Sequence, residues 1–419
     1  MVVHTNLKII IELRKQLIIL EKAVNDKDTK SCGVVARNYK RIREELSLKD
    51  VGLIFDHYLP DLAAKLNLPR YDPDMMQINF EEKLHCTKER AQSLAKNVEA
   101  KCFLYILIIM KLIDEKQIKM AKEFVDFARE KIDLENSRTL DHFFAKIYFY
   151  SGFIYERLGQ LNEFVPKFLD AYRSACHRND EQTQGTVINY VLRSYIKDQH
   201  YTQAANLIEI CSLPENVSPN QQARNLYYEA KIKAIQMKYP EAQTHVLQAI
   251  RKASEYVGKG FRVQAIKLRI IITLLMGEIP DRNLFSDPDS KNDLYPYFII
   301  VQKVRDGNLE EFLKVCKTYE DLFKRNDNYN LLIRLRHNVI KFGLRKINAS
   351  YSRISLSDVM KKLGLESVKD TEGIVTKAIR DKVIDADIDR EAGELRTREV
   401  SDVYSSSQPQ VQLDKRIRF

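Results

Sequence analysis

The chain has 419 residues, a formal net charge of +10 and a pI near 9.0, with no tryptophan and only 13 glycines and 11 prolines. That length is enough for two or more domains with a sizeable core, and the abundance of Leu, Ile, Lys, Glu and Ala favours helices. The longest uncharged apolar runs, CFLYILIIM from Cys102 and LYPYFIIVQ from Leu294, stop well short of the roughly 20 residues that cross a bilayer. Lys8, Glu12, Arg14 and Lys15 interrupt NLKIIIELRKQLIILEKAV, so it lacks the unbroken apolar stretch of a signal peptide and the reading is intracellular. Cys32, Cys86, Cys102, Cys176, Cys211 and Cys316 are scattered without a C-x-x-C pair, which favours reduced thiols over disulfides. Neither His85-Cys86 nor Cys176-His177 has a second ligand pair at zinc-site spacing, so no metal is expected.

Asn6–Val24, Gly33–Leu46 and Leu48–Leu66 read as amphipathic helices, followed by LNLPRYDPDMMQINF as a surface connector. Residues 1–82 are therefore taken as an N-terminal helical module. From Lys83 the helices come in pairs. IYERLGQLNEFVPKFLDAY, YIKDQHYTQAANLIEIC and IQMKYPEAQTHVLQAI share one plan: a helix ends near Gly159, Asp198 or Lys238, and an apolar residue, Leu161, Tyr201 or Tyr239, opens the next. Gln117, ahead of MAKEFVDFAREKI, marks an earlier opening, and the spacing of roughly 40 residues predicts stacked helical hairpins. One hairpin cannot bury both faces alone, so residues 83–330 are predicted to form a tetratricopeptide-like (TPR-like) solenoid. GEIPDRNLFSDPDSKND breaks the array, and Asn292–Arg305 and Leu309–Phe323 make a last hairpin.

LLIRLRHNVIKFGLRKINA, from Leu331, predicts one helix with two apolar stripes. Leu331, Leu335, Val339 and Phe342 form the first and Ile333, Ile340, Leu344 and Ile347 the second, with Arg334, Lys341 and Arg345 between them. Such a helix has to be covered on both sides, as a joint between two parts. A short strand at Ile354 follows, then two helices opening at Ser355 and Ser367, the first closed by Gly364. VIDADID and ELRTREV alternate with period two around REAG and predict a hairpin, with Ile384, Ala386 and Ile388 on one face and Asp385, Asp387 and Asp389 on the other. Helix, strand, helix, helix and hairpin is the order of a winged helix, placed at 331–403. Residues 404–419, polar and containing Pro409, are expected to be an extended or loosely attached tail.

Motifs for catalysis are missing. No Gly-rich phosphate loop precedes Lys-Ser/Thr, and there is no H-E-x-x-H, nucleophile elbow or zinc-finger spacing. Gly258 and Gly260 lack a preceding strand, Glu44-Glu45 reads as solvated helical charge, and Tyr148, Tyr150, Tyr227 and Tyr228 read as packing between helices. No enzyme activity, cofactor or small-molecule substrate is expected. Nucleic-acid binding is the rival reading, because winged helices read DNA and the chain is basic. On the helix that would enter a groove, however, Asp370, Glu372 and Asp381 dilute Lys369, Lys377, Arg380 and Lys382. The wing aspartates face Arg396 and Arg398, so few cations remain to displace phosphate counterions.

LLIRLRHNVIKFGLRKINASYSRISLSDV and TEGIVTKAIRDKVIDADI, with LYYEAKIKAIQMKYPEAQ and GEIPDR upstream, resemble the PCI-domain lid subunits of the 26S proteasome regulatory particle. The resemblance covers about Lys101 to Phe419 and is strongest from Tyr227 onward. It implies a non-catalytic scaffold of the regulatory-particle lid, in the cytoplasm and nucleus, that assembles with other PCI subunits through winged helices in support of ATP-dependent degradation of ubiquitinated proteins. The alternative within the same architecture is a PCI adaptor that binds nucleic acid, or a scaffold of another PCI complex. Hairpin strands are the exposed edge of a winged helix, so the lateral contact is assigned to Val383, Ile384, Asp385, Ala386 and Asp387 and to Leu395, Arg396 and Thr397. Members of the family continue beyond the segment matching QLDKRIRF into a helix bundled with other lid subunits, so a chain ending at Phe419 is expected to hold less firmly.

Overall fold

One turn recurs along the helical array. In the computed structural model, which describes residues 2–46, 48–59, 97–133, 135, 137–254, 258–288, 290–398 and 407–418, helices end at a left-handed residue: Lys27 (φ 54°), Lys116 (61°), Gly159 (74°), Gln199 (61°) and Met237 (66°). The next amide reaches back five residues, from Asp28 to Ala23 (2.8 Å), Gln117 to Leu112 (2.9 Å), Gln160 to Tyr155 (2.9 Å), His200 to Tyr195 (2.8 Å) and Lys238 to Lys233 (3.0 Å). This is the Schellman closure, which satisfies carbonyls left open by the helix end and reverses the chain within three residues. The predicted openings at Gln117, Leu161, Tyr201 and Tyr239 all fall at this turn or one residue after it.

The chain is mainly α and divides into two units, Met1–Tyr228 and Glu229–Phe419. The helices are α1 Val2–Asn25, α2 Thr29–Arg37, α3 Tyr39–Glu45, α4 Leu48–Tyr58, α5 Val98–Asp114, α6 Ile118–Ile132, α7 Asp141–Arg157, α8 Leu161–Arg178, α9 Glu181–Lys197 and α10 Tyr201–Ile210 in the first unit. Helix α11, Pro219–Ile235, carries the division. The second unit holds α12 Tyr239–Lys252, α13 Lys259–Met276, α14 Lys291–Asp306, α15 Leu309–Thr318, α16 Glu320–Arg325, α17 Tyr329–Arg334 and α18 Arg336–Ser350. Strand β1 Arg353–Ser355, α19 Leu356–Leu363, α20 Val368–Arg380, β2 Ala386–Asp389, β3 Glu394–Thr397 and α21 Gln408–Ile417 complete it.

In the first unit the apolar run from Cys102 to Met110 becomes the middle of α5, buried throughout. It is apolar all round because α1, α3, α4, α6 and α7 all pack on it. Beyond it, α7 and α8 pack on α9 through an aromatic row. Tyr155 stacks on Phe164 at 4.3 Å, Phe164 meets Phe168 edge-on at 4.7 Å, and Phe168 stacks on Tyr190 at 5.6 Å. Gly152 is required here, because a Cβ would lie 2.6 Å from the Tyr190 ring. Tyr148, read as packing, is buried and donates its hydroxyl to Asp133 at 2.9 Å.

Several predicted elements differ. Gly33–Leu46 is two helices, since Asp28 caps α2 by accepting from the Lys30 amide, and Asn38 interrupts at α3 while its side chain donates to Gln16. The end of the third helix, the connector and the boundary at Lys83 lie outside the described residues. The last hairpin's second helix breaks at Tyr319, and the joint helix breaks at Leu335, whose amide makes a tight bond to Leu332 O. Of the tail expected to be extended or loosely attached, Gln408–Ile417 is not extended but helical as α21, with Pro409 in its first turn, where no amide donor is needed.

The turns predict opposite effects of two substitutions. A methyl group added at Gly159 would meet nothing within 4 Å, so Gly159→Ala costs only the left-handed backbone, about 1 kcal/mol. Met237, 67% exposed in the same conformation, should gain a few tenths to about 1 kcal/mol on replacement by glycine. Urea unfolding of the full chain measures both.

Candidate partner interface

The winged helix is built locally as its sequence prescribes. Ser355 accepts from the Asp358 amide at 3.2 Å and donates to the Asp358 carboxylate at 2.8 Å, fixing the first turn of α19. Gly364 ends that helix at φ 68°. Ser367 opens α20 in extended conformation but makes no side-chain cap; instead its carbonyl accepts from the Thr371 hydroxyl at 2.8 Å. Val359 and Leu363 of α19 meet Val375 and Ala378 of α20, Ile384, and the strand residues Ile354, Ala386 and Leu395 in one core. Val368, in the first turn of α20, is 44% exposed.

This core is not self-contained, because Ile340, Leu344 and Ile347 of α18 belong to it. The opposite side of α18 packs on α14 and α15. The doubly apolar helix is therefore covered on both sides, apart from Ile333, which is 39% exposed. Three glycines set the spacing. A Cβ on Gly307, at the α14–α15 turn, would collide with the Gly343 Cα, and one on Gly343 would lie 2.5 Å from Leu363 Cδ2. One on Gly364 would lie 2.7 Å from Asn308 Oδ1, the atom that caps α15. Backbone thus meets backbone where the hairpins end and the winged helix begins.

Polar groups lock the same region. Arg334, one of the three basic residues placed between the stripes, donates to Ile235 O at 2.7 Å, and Asn338 donates to Leu274 O and Leu275 O at 2.8 Å each. Ile235 O and Leu275 O lie at the open ends of α11 and α13, whereas Leu274 O also accepts from the Gly277 amide. Asn326 and Asn328 both donate to the hydroxyl of buried Tyr297 at 3.3 Å. Sequence spacing alone did not separate Arg334 from Lys341 and Arg345; only the position of the two helix ends does.

The sheet order is β1-β3-β2, which corrects part of the assigned interface. Leu395, Arg396 and Thr397 lie in the central strand, paired on both sides, with Ile354 opposite Leu395 in β1 and Ile388 opposite it in β2. They are therefore not an edge. The open edge next to the wing is β2. The side chains of Ile384, Ala386 and Leu395 are buried, Val383 is half-buried, and Asp385, Asp387 and Arg396 face solvent. Arg398 N bonds to Asp385 O, and Asp385, Asp387 and Asp389 alternate on the β3 side. By antiparallel register Ala386 and Ile388 turn their amides and carbonyls to the open edge. Helices α12–α17 share the second unit with the winged helix, and the boundary at 403/404 lies outside the described residues.

Several of the wing's charges are paired within it or with α20. Arg398 clasps Asp387 through two hydrogen bonds, at 2.8 and 2.5 Å, which hold that carboxyl below its ordinary pKa. Arg396 pairs with Asp389 at 2.9 Å, and Arg390 with Glu372 at 2.8 Å. The helix that would enter a DNA groove, α20, instead lines a cleft of about 1260 Å³ with α15, α18 and α19, where Lys369 and Lys377 alternate with Asp370 and Asp381 over Leu309 and Ile340. Among the described residues no helix is long and apolar enough to cross a membrane.

Helical hairpins that run directly into a winged helix sharing their packing define a PCI-type subunit, and the family comparisons agree. Residues 316–399 match the PCI domain, and residues 5–301 match PSMD3-like, N-terminal TPR repeats. The chain is 37% identical over 417 residues to the probable 26S proteasome non-ATPase regulatory subunit 3 of Drosophila melanogaster, covering 97% of this chain and 82% of that protein. It is 35% identical over 414 residues to the subunit 3 of Dictyostelium discoideum, with the same coverage. Against the subunit 3 homolog A of Arabidopsis thaliana it is 41% identical over 324 residues, 77% of this chain and 66% of that protein. The chain belongs to the 26S proteasome non-ATPase regulatory subunit 3 family.

The glycine contact yields a direct prediction. Gly343→Ala should cost about 1–3 kcal/mol by overpacking, whereas Gly373→Ala, with open space around it on α20, should be neutral or gain up to about 1 kcal/mol. Equal effects in urea unfolding would mean the close approach is absent.

Proposed function

We propose that this chain is a non-catalytic scaffold subunit of the 26S proteasome regulatory-particle lid, and that it holds neighbouring PCI subunits by the open edge of its winged-helix sheet. Family membership supports the complex. The single observation that supports the mode of contact is β2, an edge of the sheet whose outward backbone groups at Ala386 and Ile388 have no ladder partner among the described residues. A strand edge offers a neighbour main-chain hydrogen bonds whose register is fixed by the pleat. The exposed Asp385 flanks that edge beside the Arg398–Asp387 pair, so charge selects the neighbour while backbone provides the attachment. In this role the subunit supports ATP-dependent degradation of ubiquitinated proteins by position alone, in the cytoplasm and nucleus where the particle works. The lateral contact accordingly rests on Val383–Asp387, with Leu395–Thr397 acting as the strand that fixes β2 rather than as the contact.

Two substitutions test this from different directions. Ala386→Pro removes an outward amide without touching the β2–β3 ladder, and Asp385→Lys reverses an exposed charge. Each should lower co-purification with the other lid subunits by tenfold or more while leaving the circular dichroism of the isolated chain unchanged. Full assembly of both variants would contradict the edge contact.

A further inference from the structure

A row of four ionisable side chains ties α11 to α12. His245, on α12, is held from two sides by α11: its Nε2 lies 2.9 Å from Lys233 Nζ, and its Nδ1 lies 3.2 Å from a carboxylate oxygen of Glu229. Lys233 also reaches Glu241 of α12, at 2.9 Å. The side chains of Glu229, Lys233 and His245 are only 19%, 25% and 24% exposed, so salt and water screen these contacts weakly. The contacts fix the ring's proton. An ammonium can only donate, so Nε2 presents its lone pair to Lys233, and the one proton of the neutral ring sits on Nδ1, on the side of Glu229. A second proton has only Nε2 to bind, and there it would point at the Lys233 ammonium. Burial and the Lys233 charge hold the ring below the ordinary histidine pKa, against the pull of Glu241. Burial also raises Glu229, so acidification neutralises the anion beside Nδ1. On α13, which also packs on α12, none of the charged residues Lys259, Arg262, Lys267 and Arg269 acts on the ring.

The network borders the joint. Ile235 O, two residues beyond Lys233 on α11, accepts from Arg334 at 2.7 Å, and Lys233 O accepts from the Lys238 amide that closes the turn into α12. We propose that His245 makes the α11–α12 hairpin a pH-sensitive lock, closed while the neutral ring accepts from Lys233 and opened on acidification, when the imidazolium expels Lys233 and loosens the end of α11 that holds Arg334. A histidine whose folded pKa lies below its unfolded value contributes stability that is complete above a pH of about 6.5 and is lost as pH falls from there through the folded value. Glu229 works the opposite way, because a carboxyl raised in the fold is relieved by a proton. Substitution of the histidine separates the two.

The test follows amide hydrogen exchange of the full chain at about pH 7.5 and about pH 5.5, corrected for the intrinsic pH dependence of exchange, in peptides spanning Glu229 to Glu241. On acidification the wild-type chain should lose protection there by about tenfold or more, with α5 unchanged as the internal reference. His245→Gln keeps an oxygen that accepts from Lys233 and carries no charge at either pH. Lys233→Met removes the ammonium that repels the second proton. Both variants should keep the wild-type circular dichroism at the higher pH and hold their protection within about twofold at the lower one. Nitrogen NMR of the histidine rings gives an independent reading, with the Nδ1–H tautomer expected for His245 at the higher pH. Equal acid sensitivity in the wild-type chain and His245→Gln, wild-type protection that does not change with pH, or an Nε2–H ring would overturn the lock.

Discussion

The contact on which this architecture depends is the meeting of Gly307 with Gly343. At that point the backbone of the last hairpin turn lies against the backbone of α18, closer than any side chain would permit. The consequence is mechanical. A helix that touches its neighbour through glycine has no lever of side chain through which to slide, and Leu363 of α19 fills the space immediately beyond. Gly364 then brings the end of α19 against the cap of α15. The winged helix is thereby placed by three positions that accept no methyl group, and its core is finished by residues of α18 rather than by its own.

Polar chemistry reinforces this placement instead of competing with it. Arg334 and Asn338 direct their donors to the carbonyl ends of α11 and α13, where Ile235 O and Leu275 O would otherwise need water or another cap. Each is a hydrogen bond that exists only when the joint is in register. The wing likewise closes its own ion pairs, leaving an edge whose free valences are mostly backbone. Exposed pairs of this kind add little to stability. A sheet edge on a fixed mount suits a subunit whose work is to position others.

Much of this was legible in the sequence, and the reasons differ from element to element. The double stripe from Leu331 announced a joint, because burial on two sides leaves a periodic trace. The caps at Ser355 and Gly364 were readable from residue chemistry alone. The turns were readable from their spacing but not from their residues, since only Gly159 among the five carries a glycine, and the fold tolerates lysine, glutamine and methionine in left-handed conformation elsewhere. Sheet order was not readable: two strands that alternate correctly say nothing about which of them a third strand will join, so Leu395–Thr397 looked like an edge and is the centre. Arg334 looked like its neighbours Lys341 and Arg345, because the carbonyls it satisfies lie about a hundred residues away in the chain.

Native-state hydrogen exchange at increasing urea tests most directly whether the winged helix and the last hairpins are one body. The account predicts that the slow amides of α14, α18, α19 and α20 merge into a single opening with one free energy and one denaturant slope. Exchange of α19, α20 and the sheet through a separate, lower-energy opening, while α14 and α18 stay protected, would contradict it.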